Sequence, residues 1–150
     1  MWELIRRRSE RDTSQSTSPR FCEIIDHRDV ERIYSRMEDK AIIITRKPPR
    51  REKETYFWIS KVEHPKAIHP SQLYIIEEKI RKHLQKSGNN EVVIFDAFEY
   101  IKIEQGSESA YKFVGKLRDL TILSGSKFIV SISDALDEKE KALLKRIIED

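Results

Sequence analysis

In a chain that alternates strands and helices, ligands lodge at the carboxyl ends of the strands. Five such ends carry reactive or charged side chains: Asp26-His27-Arg28, Thr45-Arg46-Lys47, Ser60-Lys61, Asp96 to Glu99, and Ser131 to Asp134. The second is the most unusual. In AIIITRKPPRREKETYFWIS, residues 41–60, an apolar run meets a proline pair and then Arg50, Arg51 and Lys53. Such a basic loop is either a solvated surface or a site for an anion, an acidic partner or nucleic acid. Nucleic-acid binding usually adds exposed aromatics. Tyr56, Phe57 and Trp58 stand beside the loop, but in a run whose alternate residues read as core.

Asp96 closes the run VVIFD. An apolar strand ended by aspartate is one way to hold Mg²⁺ near phosphates; the competing reading is a carboxylate that caps the next turn or pairs with a base. A phosphate loop needs glycine-rich backbone and a Lys-Ser/Thr pair opening a helix. The first strand-to-helix junction, IIDHRDVERI, has no glycine and presents carboxylates, and glycines 88, 106, 115 and 125 form no phosphate-loop spacing. ATP hydrolysis and tight nucleotide binding are disfavoured on that ground. His64 and His69 lack further ligands at zinc spacing. Ser124, Ser126, Ser131 and Ser133 include no G-x-S-x-G elbow. The single Cys22 lies in an apolar run and reads as an inert buried thiol. No catalytic residue, metal or cofactor is expected.

The elements that must position these residues follow from periodicity. FCEIID, KAIIIT, TYFWIS, EVVIFD and KFIVSIS read as five strands. Val30, Ile33, Tyr34 and Met37 fall at helical spacing, as do Leu73, Ile76, Ile80 and Leu84, and then Ala110, Phe113, Val114, Leu117 and Leu120. A last helix turns Leu143, Leu144, Ile147 and Ile148 inward, with Asp137 and Glu140 as a cap pair. Alternating strands and helices predict a three-layer α/β domain: a mainly parallel five-stranded sheet with helices on both faces. The connection between strands two and three is short for a parallel crossover, so that pair is antiparallel or its loop is stretched across an edge. The core should include Ile24, Ile43, Ile44, Trp58, Val93, Ile94, Phe113, Leu117, Ile129 and Leu144.

The 150 residues suffice for one domain that buries roughly two-thirds of its unfolded surface. Residues 1–20 lack a sustained apolar period and read as a flexible basic leader or linker; residues 21–150 read as the folded unit. Apolar residues make up 38% and charged residues 37%. This balance resembles hyperthermophile usage, in which ion-pair networks matter more. A net charge of +3 is too mild to announce nucleic acid. No run approaches the ~18 apolar residues of a membrane span, and a cytoplasmic location is expected. Any membrane association would be indirect, from the cytosolic side, or through a lost anchor.

Several stretches in order, IIITRKPP, YFWIS, IHPSQLYIIEEKI, VVIFDAFEYI, FVGKLRDL and SISDALDEKEKALLKRI, resemble the archaeal domain of unknown function 835 over about residues 21–148. Thr45, Arg46 and Pro48 or Pro49 match its strand ending in Thr-Arg before proline. Asp96, Ala97, Phe98, Glu99 and Tyr100 match its Asp-Gly-x-Glu-Tyr segment with the glycine lost, an Asn usual after that segment is replaced near Gln105-Gly106, and Arg118-Asp119 match its Arg-Asp pair. The family is similar in layout to RecA/KaiC-like ATPase cores without the phosphate loop. The resemblance implies a non-catalytic archaeal signalling or assembly module.

These readings combine into one expectation. Arg46 turns inward to pair with Asp96 and Glu99, Arg118 and Asp119 extend the polar cluster, and Lys47, Arg50, Arg51 and Lys53 form an exposed rim that binds a protein partner, suited to an acidic surface or anionic lipid. Nucleic-acid or anion binding through residues 46–53 is the alternative, and a degenerate nucleotide-binding ATPase-like enzyme a second. Oligomer formation is compatible with any of them.

Overall fold

The computed structural model describes residues 21–87 and 90–149; the leader at 1–20 lies outside them. Six strands form: β1 (Cys22–Asp26), β2 (Ala41–Thr45), β3 (Tyr56–Ile59), β4 (Ala67–Ile68), β5 (Val92–Asp96) and β6 (Lys127–Ile132). They make one sheet in the order β1-β6-β5-β2-β3-β4, with every neighbouring pair parallel. The helices are α1 (Val30–Met37), α2 (Leu73–Ser87), α3 (Phe98–Gln105), α4 (Ser107–Leu123) and α5 (Glu138–Glu149).

Side chains alternate between the faces of a strand, and that alternation sorts the core into two layers. Ile42, Ile44, Val93, Phe95, Phe128 and Val130 face α2–α5, where Phe113 meets Phe95 edge to face at 5.4 Å. Ala41, Ile43, Val92, Ile94 and Ile129 face the other way and pack against Val30, Ile33, Tyr34 and Met37 around α1. Because both faces are covered, the central strands read as unbroken apolar runs.

The structure corrects the expectation at several points. The sheet has six strands: β4, two residues between Pro65 and Pro70, is too short to show a period. β2 and β3 pair in parallel, Ile43 opposite Tyr56, so the loop between them is the stretched alternative. Trp58 is only half-buried, since Phe57 and Ile59 are the residues of β3 turned toward α2, and Ile24 is half-buried because β1 is an edge strand. Leu143 is 46% exposed because α5 buries a narrow stripe centred on Leu144 and Ile148. Helix α3 was not legible as a helix of its own. It is separated from α4 by Gly106, whose φ of 94° suits a residue without a side chain. The Asp137–Glu140 cap forms reciprocally: the Glu140 amide donates to Asp137 Oδ1 at 2.8 Å and the Asp137 amide to Glu140 Oε1 at 3.0 Å.

Candidate functional site

Thr45, Asp96 and Ser131 are set in one row across β2, β5 and β6, because Thr45 pairs with Asp96 and Phe95 with Val130. They project to the face that carries α1. The Thr45 hydroxyl donates to Asp96 Oδ2 at 2.9 Å and the Ser131 hydroxyl to Oδ1 at 2.6 Å. The carboxylate is thus held by a short donor on each side. Both hydroxyls are buried, whereas Asp96 itself is half-exposed.

Beyond this row lies a cleft of about 550 Å³, within the usual range for ligand sites. Its floor is Thr45 and Asp96, its wall includes Tyr34, Ile43 and Tyr56, and its mouth is lined by the basic loop and by α1. Its position follows from topology. From β2 the chain moves to β3, and from β5 it moves the other way to β6. Neighbouring strands whose connections diverge leave a crevice at their carboxyl ends.

The loop between β2 and β3 lies as a strap along this cleft. Tyr56 Oη donates to the Lys47 carbonyl at 3.0 Å and Trp58 Nε1 to the Arg46 carbonyl at 3.1 Å, so the aromatics of β3 hold its start. Lys53 Nζ donates to the Glu38 carbonyl at 2.8 Å and holds its end. Ion pairs join the strap to α1 and the turn after it: Lys47 with Glu31 at 3.6 Å, and Arg51 with Glu38. The Arg51 guanidinium holds the Glu38 carboxyl below its ordinary value. Burial pushes the Tyr56 phenol up to about 12, so the wall stays uncharged at neutral pH. Arg50 is exposed at the mouth and has no ion pair among the described residues.

The expected polar cluster is therefore divided. Arg46 does not pair with Asp96 or Glu99; it is exposed, and its guanidinium lies 3.9 Å from the centre of the Tyr100 ring. Thr45 occupies the α1 side, so the next residue points to the opposite side, where Tyr100 lies in the first turn of α3. Glu99 instead receives the Ser133 amide at 2.7 Å and the Ser133 hydroxyl at 3.1 Å, tying the end of β6 to α3. Among the described residues, Arg118 and Asp119 contact none of these. Arg118 Nε donates to the Ile148 carbonyl at 3.0 Å, satisfying the end of α5, and its Nη1 meets Asp119 at 3.0 Å. Its field also reaches Cys22, the first residue of β1, so this pair belongs to the amino end of the sheet. Burial is the main cause that raises the Cys22 thiol.

The first strand-to-helix junction carries an exposed ion pair of its own side chains. Arg28 meets Asp26 with a fork, Nε to Oδ1 at 2.8 Å and Nη2 to Oδ2 at 2.9 Å, while the Arg28 amide adds a third bond to Oδ1 at 2.8 Å. These bonds hold the Asp26 carboxyl well below the usual carboxylate range. A bidentate pair of this kind takes up the donors that an anion would use there.

The sequence singled out Asp96 and the basic loop, and the structure lines one cleft with them. Sequence reading missed Thr45 and Ser131 as partners of Asp96, and Glu31, Tyr34 and Glu38 as the opposing wall. The parity of 41, 43, 45 and 92, 94, 96 was a usable signal for the shared face, but the order of the strands was needed to make them neighbours. Among the described residues no group of three potential metal ligands is assembled, and no helix is long and apolar enough to cross a membrane.

No curated protein and no solved structure matches the chain. The model of the family described as "Protein of unknown function (DUF835)" matches residues 24–148, which include every element placed around the cleft, and the chain belongs to that family.

Proposed function

We propose that this domain is a non-catalytic signalling or assembly module that binds an acidic segment of a protein partner across the strand-end cleft and its basic strap. One observation carries the reading. Among the described residues Arg50 has no ion pair at the cleft mouth, while the cations on either side of it meet carboxylates of α1 and of the turn after it. A guanidinium without a partner beside fixed neighbours is suited to take a carboxylate in a bidentate geometry. Duplex or single-stranded nucleic acid is less well served, because Lys47, Arg51 and Lys53 already face Glu31 and Glu38.

The same reading takes the domain as a RecA-like core in which the phosphate-holding junction has given way to the Asp26–Arg28 pair. An archaeal, high-temperature origin accords with the charge-rich composition. The test is affinity capture with the wild-type domain and with the Arg50→Ala, Arg51→Ala double variant. A partner retained by the first, lost by the second and released by raised salt supports the reading. A partner held equally by both, or a preference for nucleic acid with a steep salt slope, refutes it.

A further inference from the structure

Glu31 faces Lys47, and Glu38 faces Arg51 and Lys53. Asp96 is different. It lies at the floor of the same cleft with both oxygens hydrogen-bonded by neutral hydroxyls, and it has no ion pair among the described residues. Among the described residues the cleft therefore has two charges of opposite sign outside any ion pair, a carboxylate at the bottom and the Arg50 guanidinium at the mouth. An anion that reached the floor would meet the negative charge of Asp96. A cation that reached it would gain a charge-assisted hydrogen bond, because each carboxylate oxygen keeps a lone pair beyond the one used by Thr45 or Ser131. The wall on the way down includes Tyr34 and Tyr56, set edge to face at 6.1 Å, and Ile43. Methylenes pack against such a wall, and an ammonium group is attracted to its ring faces.

Resting on the partner reading above, we infer that the cleft takes a lysine side chain of the partner segment, its ammonium on Asp96, with the carboxylates that flank the lysine on Arg50 and the strap. The recognised chemistry is then a lysine set among acidic residues, not an acidic run alone. Arginine is a poorer fit, since its planar fork wants two free oxygens on one side and Asp96 already shares its oxygens between strands.

Calorimetric titration of the full chain with two blocked pentapeptides, Glu-Glu-Lys-Glu-Glu and the same peptide with acetyl-lysine, tests this on the unmodified protein. Acetylation is expected to weaken binding by roughly tenfold or more, the scale of one lost hydrogen bond to a charged group. Asp96→Asn is expected to bind both peptides alike, and Arg50→Ala to weaken both. Melting curves establish that each variant is folded. If the two peptides bind wild type equally, with Arg50→Ala still weakening them, the lysine pocket is wrong and the acidic-partner reading stands. If neither peptide binds, or binding ignores Arg50, both are overturned.

Discussion

Asp96→Ala is the substitution that most directly probes how the strand ends are held. It removes the only acceptor described for the Thr45 and Ser131 hydroxyls, and those residues are 1% and 2% exposed. A buried donor left without an acceptor costs about 1–3 kcal/mol. The new space at the half-exposed Asp96 position opens toward the cleft, so water satisfies part of the loss, and about 2–4 kcal/mol in all is expected. For a domain of this size that corresponds to a fall in Tm of roughly 10 °C. Asp96→Asn keeps the shape, an acceptor for one hydroxyl and a donor for the other, and should cost less than about 1 kcal/mol. Urea denaturation followed by circular dichroism would compare the two, with a shift in midpoint at constant slope as the signature of a stability change. Thr45→Val combined with Asp96→Ala should cost less than the sum of the two single changes, because the orphaned hydroxyl is then gone. If Asp96→Ala unfolds at the wild-type midpoint, the hydroxyl row contributes nothing and the floor of the cleft is not preorganised in the way described.

Arg46→Ala should lower stability by no more than about 1 kcal/mol, the value of an exposed cation–π contact; a loss of several kcal/mol in denaturant titration would restore the inward ion pair that the geometry excludes. The raised Tyr56 phenol favours the neutral form in the folded state, so its contribution is fully present below the ordinary tyrosine value and is lost as pH rises toward about 12. Midpoints measured from pH 9 to 12 should therefore fall less steeply for Tyr56→Phe than for wild type, and parallel curves would show that Tyr56 is not desolvated.

The periodic signals in the sequence were local, and they were sufficient for the elements and the layers. The runs AIIIT, VVIFD and KFIVSI announced central strands of a parallel sheet, and Ile76, Ile80 and Leu84 announced the stripe of α2. The Asp137–Glu140 cap was equally readable, since its partners are three residues apart. The glycine-free first junction was readable too; the structure added the Asp26–Arg28 fork that stands there.

Tertiary structure alone decided which of the charged strand ends meet. Parity assigns Thr45 and Asp96 to a face, but only the order β6-β5-β2 makes them neighbours and adds Ser131 on the other side. The same alternation, carried one residue past β2, sent Arg46 to Tyr100 and away from the carboxylate that its charge suggested. Opposite charge says that two residues gain by meeting; it says nothing about which side of a sheet each one leaves from. Arg118 makes the point over a longer distance. It lies at the other end of the sheet because α4 runs antiparallel to the strands, and its guanidinium serves the last turn of α5. The sequence determined the pieces and their faces through periods of two and 3.6 residues. Strand order, register and helix direction are set by packing between distant segments, and those decided the cleft.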